Sequence, residues 1–547
     1  MLHYPSLDVS LLYPLTFLTQ QTRATTFATK CLSFTPSFPE TNTVTITNHE
    51  FISANTNLTL PHNDKSCNRA SQIVSVDICR LALSVQTGQK GNVVAEIWFP
   101  DLPEDGGTMR ILAGGNGGID GCIQYETLAY GTSENFISVA ANNGHNGTSG
   151  ISFLNNPDAI IDYAHRSLHT SVNLTKHLTS QFYPPSLSTT ASTKSYFLGC
   201  SLGGRQGIDA ADRYPSDFDG IVAGSPATDF NNLYAWRASF YTTTGNASSA
   251  DFIDAEKWKV IHAEVLRQCD GIDGVEDGIL EDPSLCSFEP EKLLCSEGER
   301  RTNTATCLTR NQIAIVRKIY SPFYSSTGNL IYPAMQPGNE LRANTGLYSG
   351  NPWQPSVDWY RYGLLNDSTW DPATFDLSAA VLANKINPSG IRTFPTSLAR
   401  FKEKGGKLIM YHGGQDHQIT SFQGVRFYEH LAQGMNADSG ALDEFYRFFR
   451  ISGMFHCNSG PGAWAFGQGG GAPSAGVEFE REGNVLRAIV DWVENGVAPD
   501  TITGTKFVDD VVAKGVQFKR RHCRYPMRNV YVGGNATEVE SWECRVV

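Results

Sequence analysis

The 547-residue chain contains no run of about 18 consecutive apolar residues, so it offers no segment suited to crossing a bilayer as a helix. No two of its cysteines form a C-x-x-C pair, which argues against a zinc ribbon or a thioredoxin-type redox motif. Positive charge is in deficit: 43 Lys and Arg stand against 55 Asp and Glu, for a net charge of -12. That balance disfavours nucleic acid and anionic membranes as partners. No internal repeat and no low-complexity tract occurs. A good signal peptide is also missing. Residues 11–18 are modestly apolar, but Pro14 interrupts them and no basic segment precedes them. Residues 1–24 are therefore set apart as a leader or a poorly ordered terminus.

What is present describes a folded, water-soluble protein, with 40% hydrophobic and 18% charged residues. The length exceeds one ordinary hydrophobic core, so a catalytic domain plus a second unit is expected. The twelve cysteines are even in number and dispersed, which reads as disulfides formed in an oxidising compartment. Six N-x-S/T sequons, at Asn57, Asn146, Asn173, Asn246, Asn366 and Asn535, point the same way. Together they predict a glycoprotein secreted from a eukaryotic cell.

Apolar strand patterns alternate with helical ones. Residues 109–113, 136–141, 196–198, 218–223, 407–411 and 445–451 read as strands. Residues 159–182, 203–214 and 482–497 read as helices. This alternation predicts an α/β fold built on a doubly wound parallel sheet, with ligands at the carboxyl ends of the strands. The alternation breaks between about residues 230 and 400, where cysteines, tryptophans and turn signals accumulate. The predicted organisation is a catalytic domain of residues 25–228 and 401–547 with an inserted lid at 229–400.

Gly199-Cys200-Ser201-Leu202-Gly203 is a G-x-S-x-G turn, between a strand and a helix, that would expose Ser201 as a nucleophile. A serine hydroxyl needs a base, and His456, followed by Cys457, is the candidate. If Cys200 and Cys457 are bonded, their Cα atoms lie about 5.5 Å apart and bring Ser201 and His456 together. Asp416 follows a strand and would orient the imidazole, giving the order Ser-Asp-His of an α/β-hydrolase. His412 and His417 beside it read as supporting residues rather than bases. For the oxyanion hole, the Leu202 N–H is one donor by position. Gly117 or Gly118, in the run Gly114-Gly115-Asn116-Gly117-Gly118, supplies the other. Asp270, Asp273 and Asp277, with the carbonyls of Val275 and Ile279, could gather oxygens around a hard cation. On the residues alone, a solvated acidic turn is the slightly better reading of that segment.

Taken together, Cys200-Ser201, Asp416 and His456-Cys457 resemble the tannase and fungal feruloyl esterase family. The phrases Tyr214-Pro-Ser-Asp-Phe-Asp-Gly220, Tyr411-His-Gly-Gly-Gln-Asp416 and Trp464-Ala-Phe-Gly467 are similar to it as well. The resemblance implies an α/β-hydrolase core with a lid, and structural calcium at Asp270, Asp273, Val275, Asp277 and Ile279. It also implies the pairing Cys31–Cys79, Cys67–Cys122, Cys200–Cys457, Cys269–Cys286, Cys295–Cys307 and Cys523–Cys544. The expected activity is hydrolysis of hydroxycinnamoyl esters, free or on plant cell-wall polysaccharide, with no cofactor for the chemistry. Gallate esters are the close alternative, and a non-catalytic binding protein or a serine carboxypeptidase the distant ones. A homodimer is left open.

Overall fold

Among the described residues, nine strands make one sheet: β1 (Thr43–Ile52), β2 (Ile78–Gln86), β3 (Asn92–Pro100), β4 (Met109–Gly114), β5 (Phe136–Ala141), β6 (Thr193–Cys200), β7 (Gly220–Gly224), β8 (Lys407–Gly413) and β9 (Tyr446–Ile451). The computed structural model describes residues 26–40, 43–102, 107–183, 193–296, 305–469 and 476–546; the leader considered above lies outside them. The strand order is β1-β2-β3-β5-β4-β6-β7-β8-β9. From β5 to β9 every neighbour is parallel, whereas β1, β2, β3 and β5 pair antiparallel. The sheet is thus mixed rather than wholly parallel. The five-residue link from Gln86 to Asn92 is too short for a parallel crossover, so β2 and β3 form a hairpin.

The parallel strands read as unbroken apolar runs because both faces of the sheet are covered. Ile111, Ile221, Met410 and Phe448 enter one apolar cluster. Their sequence neighbours Leu112, Val222, Ile409 and Phe449 enter the other. Helices α1 (Tyr125–Ser133), α2 (Ser167–Phe182) and α3 (Leu202–Arg213) link successive strands up to β7. The predicted helix over 159–182 contains a π-helical turn at Asp162–Arg166 ahead of α2.

Between β7 and β8 the chain leaves the sheet. This insertion holds helices α4 (Phe230–Thr244), α5 (Ala255–Cys269), α6 (Arg310–Ile319) and α7 (Leu377–Ile386). Helix α5 starts on Asp254, which accepts the Lys257 N–H, and α6 on a Thr309–Gln312 capping box. The apolar cluster of the insertion is not separate from the catalytic domain. Phe230, Trp258 and Trp359 join Ile119, Phe153, Tyr163 and Leu202 in one core. At its base, buried Asp229 binds Arg392 at 2.6 Å and Arg426 at 2.9 Å. Arg426 belongs to α8 (Ser421–Gly434), so the ion pairs tie both ends of the insertion to the catalytic domain. Helix α9 (Val485–Asn495) then covers β7 and β8.

Six disulfides join Cys31–Cys79, Cys67–Cys122, Cys200–Cys457, Cys269–Cys286, Cys295–Cys307 and Cys523–Cys544. They are the pairs that the resemblance implies.

Trp359 is fully buried and packs edge-on against Phe153 of the catalytic domain and Phe230 of the insertion. Trp359→Ala is expected to cost about 3–5 kcal/mol. Calorimetry should still show one unfolding transition; two resolved transitions would mean separate cores.

Candidate active site

Between the end of β6 and the start of α3 the chain turns on one residue, Ser201. Its φ of 63° and ψ of -118° are costly for a residue with a Cβ. The neighbourhood holds it there. The Ser201 N–H donates to the Gly224 carbonyl at 2.9 Å, and the Ser201 carbonyl accepts from Arg205 and Ala227, both at 3.0 Å. Two glycines let the backbones approach. A Cβ on Gly199 would lie 2.9 Å from the Gly203 Cα, and one on Gly204 would lie 2.4 Å from the Gly224 oxygen.

Asp416 follows β8 and His456 follows β9, its neighbour, while Ser201 follows β6 on the far side of β7, so the carboxyl ends of three parallel strands supply the three side chains. His456 Nε2 lies 2.9 Å from Ser201 Oγ. His456 Nδ1 lies 2.7 Å from Asp416 Oδ2. The other Asp416 oxygen accepts the N–H groups of Gln418 at 2.8 Å and Ile419 at 2.9 Å. Burial pushes the Asp416 carboxyl up, but the charge and hydrogen bond of His456, with help from His412, outweigh it and hold the carboxyl well below its usual value. The group is therefore an anion that fixes the imidazole tautomer and can stabilise an imidazolium. The Cys200–Cys457 disulfide, with Cα atoms 6.0 Å apart, joins the residue before Ser201 to the residue after His456.

A cavity of about 280 Å³ opens above these groups, lined by Ser201, His456, Gly117, Gly118, Leu198 and Tyr411 among others. Leu202 is the first residue of α3, so its N–H has no acceptor within the helix. The Gly117 and Gly118 carbonyls are engaged elsewhere. Gly117 accepts the Asp120 N–H at 3.1 Å. Gly118, at a φ of 49°, accepts the hydroxyls of Tyr163 at 2.8 Å and Tyr234 at 3.4 Å. The structure thus brings Ser201, His456, Gly117 and Gly118 around one cavity, while Asp416 and Leu202 are buried outside its lining, Asp416 against His456 and Leu202 next to Ser201 in the chain.

The pattern of the tannase and feruloyl esterase family matches residues 83–545. The chain belongs to that family. It is 52% identical over 506 residues to a probable feruloyl esterase B-2 of Aspergillus flavus, covering 92% of this chain and 94% of that protein. The crystal structure of an esterase from Aspergillus oryzae superposes with a TM-score of 0.90 at 44% identity, covering 95% of this chain and all of that one. Feruloyl esterase B from Aspergillus oryzae superposes with a TM-score of 0.89 at 41% identity, again over 95% and 100% of the two chains. Both names of the family denote carboxylic ester hydrolases, and this member is one.

Within this tannase and feruloyl esterase fold, two contributors to the site carry no signal in the sequence, unlike His412 and His417 beside Asp416. Gln336 and Asn339 of the insertion are fully buried and donate to the Asp416 main-chain carbonyl at 2.6 and 3.1 Å. Gln336 also accepts the Ser421 N–H at 2.9 Å, which fixes its amide orientation. His412 lies 2.9 Å from the Ile419 carbonyl and 3.4 Å from Asp416 Oδ2. Burial drives His417 down to about 3, so it stays neutral.

The acidic segment lies apart from the cavity, in the turn after α5. Asp270 accepts the Gly278 N–H at 3.0 Å, Asp273 the Val275 N–H at 2.9 Å, and Asp277 the Ile279 N–H at 3.1 Å. Asp277 also pairs with Arg520 at 2.9 Å. The three carboxylates do not converge within 4.8 Å of one another. Burial, and next the charges of Glu281 and Asp277, push the Asp273 carboxyl up to about 7. Burial, with Asp277 and Glu276 adding to it, raises Asp270 as well. The three carboxylates are oxygen donors of the kind a hard divalent cation takes, but as placed they would have to draw together to hold one.

Gln336→Leu is expected to lower kcat about 10–100-fold with little change in KM, because it loosens Asp416 without touching the cavity. Steady-state kinetics on a soluble aryl ester checks this. An unchanged kcat would show that Asp416 needs no support from the insertion.

Proposed function

We propose that this carboxylic ester hydrolase is a secreted feruloyl esterase, acting on hydroxycinnamoyl esters of plant cell-wall polysaccharides. The observation that carries the chemistry is the unbroken hydrogen-bond chain Ser201–His456–Asp416. His456 Nε2 takes the Ser201 proton as Oγ attacks the ester carbonyl. The oxyanion that forms is held by the Leu202 N–H and the Gly117 or Gly118 N–H, whose fixed orientation needs no rearrangement as charge develops. The imidazolium then gives its proton to the departing alkoxide and leaves an acyl-enzyme. Water, deprotonated by the same nitrogen, releases the aromatic acid. Relatives named feruloyl esterase B support the choice of acyl group. Secretion is supported by the six disulfides, and all six sequon asparagines are exposed.

Ser201→Ala is expected to cut turnover at least about 10³-fold while leaving the unfolding temperature unchanged. The wild type should hydrolyse methyl ferulate and methyl p-coumarate faster than methyl gallate. Preference for gallate would make the enzyme a tannase, and turnover of none of the three would remove the ester-hydrolase reading.

The same reading includes a structural calcium ion. Asp270, Asp273 and Asp277, with the carbonyls of Val275 and Ile279, would hold it, and it would supply fold stability rather than chemistry. The sign of the pH effect follows from Asp273. Its folded value lies above its unfolded one, so without a cation its ionisation costs stability as pH rises towards about 7. A cation must displace that proton, so calcium should raise the unfolding temperature more at pH 8 than at pH 5. Thermal unfolding with calcium or with chelator checks this, and identical curves at both pH values would count against the site.

A further inference from the structure

A second concavity lies behind the loop that carries Gly117 and Gly118. It is a groove of about 540 Å³, roughly twice the volume of the catalytic cavity. The two are back to back. Gly117, Gly118 and Gln124 line the catalytic side, and Gly121, Ile123 and Tyr125 line the groove. Its floor is the exposed end of the sheet, where β1, β2, β3 and β5 contribute Asn48, Glu50, Arg80, Glu96 and, just beyond β5, Asn142. One wall is an arm built on the strand pair Thr56–Thr59 and Ser71–Val74. The arm is fastened to the domain by Cys67–Cys122 and by Arg69, which donates to Glu126 at 2.8 Å.

The charge arrangement selects the ligand class. Arg80 donates to Glu96 at 2.9 and 2.5 Å and to Glu50 at 2.8 Å. Two carboxylates thus surround one guanidinium, and Asp64 adds a further acid at the rim. Among the described lining residues the one guanidinium is thus fully paired, and only the imidazole of His62 is left to face a phosphate or a carboxylate ligand. What remains is a set of fixed amides and paired ions whose spare donors and lone pairs suit neutral hydroxyls. Leu58, Leu60 and Ile123 supply apolar surface beside them. Hydroxyl edges and C–H faces in one small ligand are the chemistry of a sugar.

One sequon belongs to this groove. Asn146 is exposed and lines it. Its Oδ1 accepts from Asn142 Nδ2 at 2.9 Å, and its Nδ2, the atom that carries an N-glycan, has no partner among the described residues. Elsewhere the Asn173 Nδ2 donates to the His169 carbonyl at 2.8 Å and the Asn366 Nδ2 to Asn155 at 2.8 Å, so a glycan there would break an existing contact. The Nδ2 atoms of Asn57, Asn246 and Asn535 are without a partner among the described residues like that of Asn146, and it is the place in the groove that sets Asn146 apart.

We propose that this groove is a carbohydrate-binding site, filled either by the first sugars of the chain's own glycan on Asn146 or by a stretch of polysaccharide substrate. The proposal is independent of which acyl group the catalytic serine removes. Its glycan branch rests on secretion.

Two arms separate the sources. In the first, protein secreted by a fungal host is digested with an endoglycosidase in its native state, and each sequon is read by mass spectrometry. A glycan on Asn146 that resists release until denaturation, while one on Asn246 is removed, assigns the groove to the chain's own carbohydrate. In the second, protein carrying Ser201→Ala and Asn146→Gln is titrated calorimetrically with xylohexaose and with arabinoxylo-oligosaccharides free of ferulate. Saturable binding that falls at least tenfold with Asn48→Trp, or with Thr47→Trp should the first variant misfold, assigns it to the polysaccharide. An Asn146 that is bare, or is trimmed as fast as Asn246, together with no groove-dependent binding of either oligosaccharide, overturns the proposal. Sugar on other sequons in that case would leave secretion standing, and no sugar on any of them would count against both.

Discussion

One covalent bond decides where the chemistry happens. Cys200 and Cys457 are 257 residues apart in sequence, and their link sets the distance between a turn after β6 and a loop after β9. Ser201 and His456 each stand next to one end of it. A costly backbone conformation stands at or beside each end: Ser201, next to Cys200, has a φ of 63° and Cys457 a φ of 64°. Such residues cost on the order of 1–3 kcal/mol each and persist only where the surroundings over-determine them. The bond is part of that over-determination. In the chain-entropy account it also removes on the order of 5 kcal/mol of freedom from the unfolded chain.

The insertion behaves as a second constraint rather than as a detached cover. Its aromatic core runs into the catalytic domain through Phe153, Tyr163 and Leu202. From one side, Gln336 and Asn339 hold the carbonyl of Asp416. From the other, Tyr234 of α4 joins Tyr163 in holding the carbonyl of Gly118. Asp416 and the loop of Gly117 and Gly118 are therefore both braced by residues of the insertion. This economy explains why so long a segment can interrupt the sheet without loosening the site.

Much of this was legible in the sequence, for identifiable reasons. Strands β4 to β9 are buried on both faces, so they stand out as short apolar runs. Helix limits drifted by a few residues, as with residues 482–497 against the observed Val485–Asn495, because apolar spacing by itself does not stop at the caps Asn484 and Gly496. The antiparallel edge was harder to read: β1 is mostly half-buried or exposed, with a single fully buried residue, and rich in threonine, so its alternation is weak. The catalytic residues were legible because each sits in a distinctive local phrase, Gly-Cys-Ser-Leu-Gly or His-Cys. Gln336, Asn339 and Tyr234 were not, since each acts on a main-chain carbonyl 77 or more residues away and nothing local marks it. The acidic run after α5 was visible as a pattern, but the pattern alone could not separate a cation loop from a solvated turn.

The central claim is that Ser201 is reactive because His456 is hydrogen-bonded to it. Labelling with a fluorophosphonate, followed by peptide mapping, measures that reactivity directly, since the reagent modifies only an activated serine. The account predicts rapid stoichiometric modification of Ser201 in the wild type and a loss of at least about 10³-fold in labelling rate for His456→Ala. Modification of a different serine, or undiminished labelling of Ser201 in that variant, would contradict it.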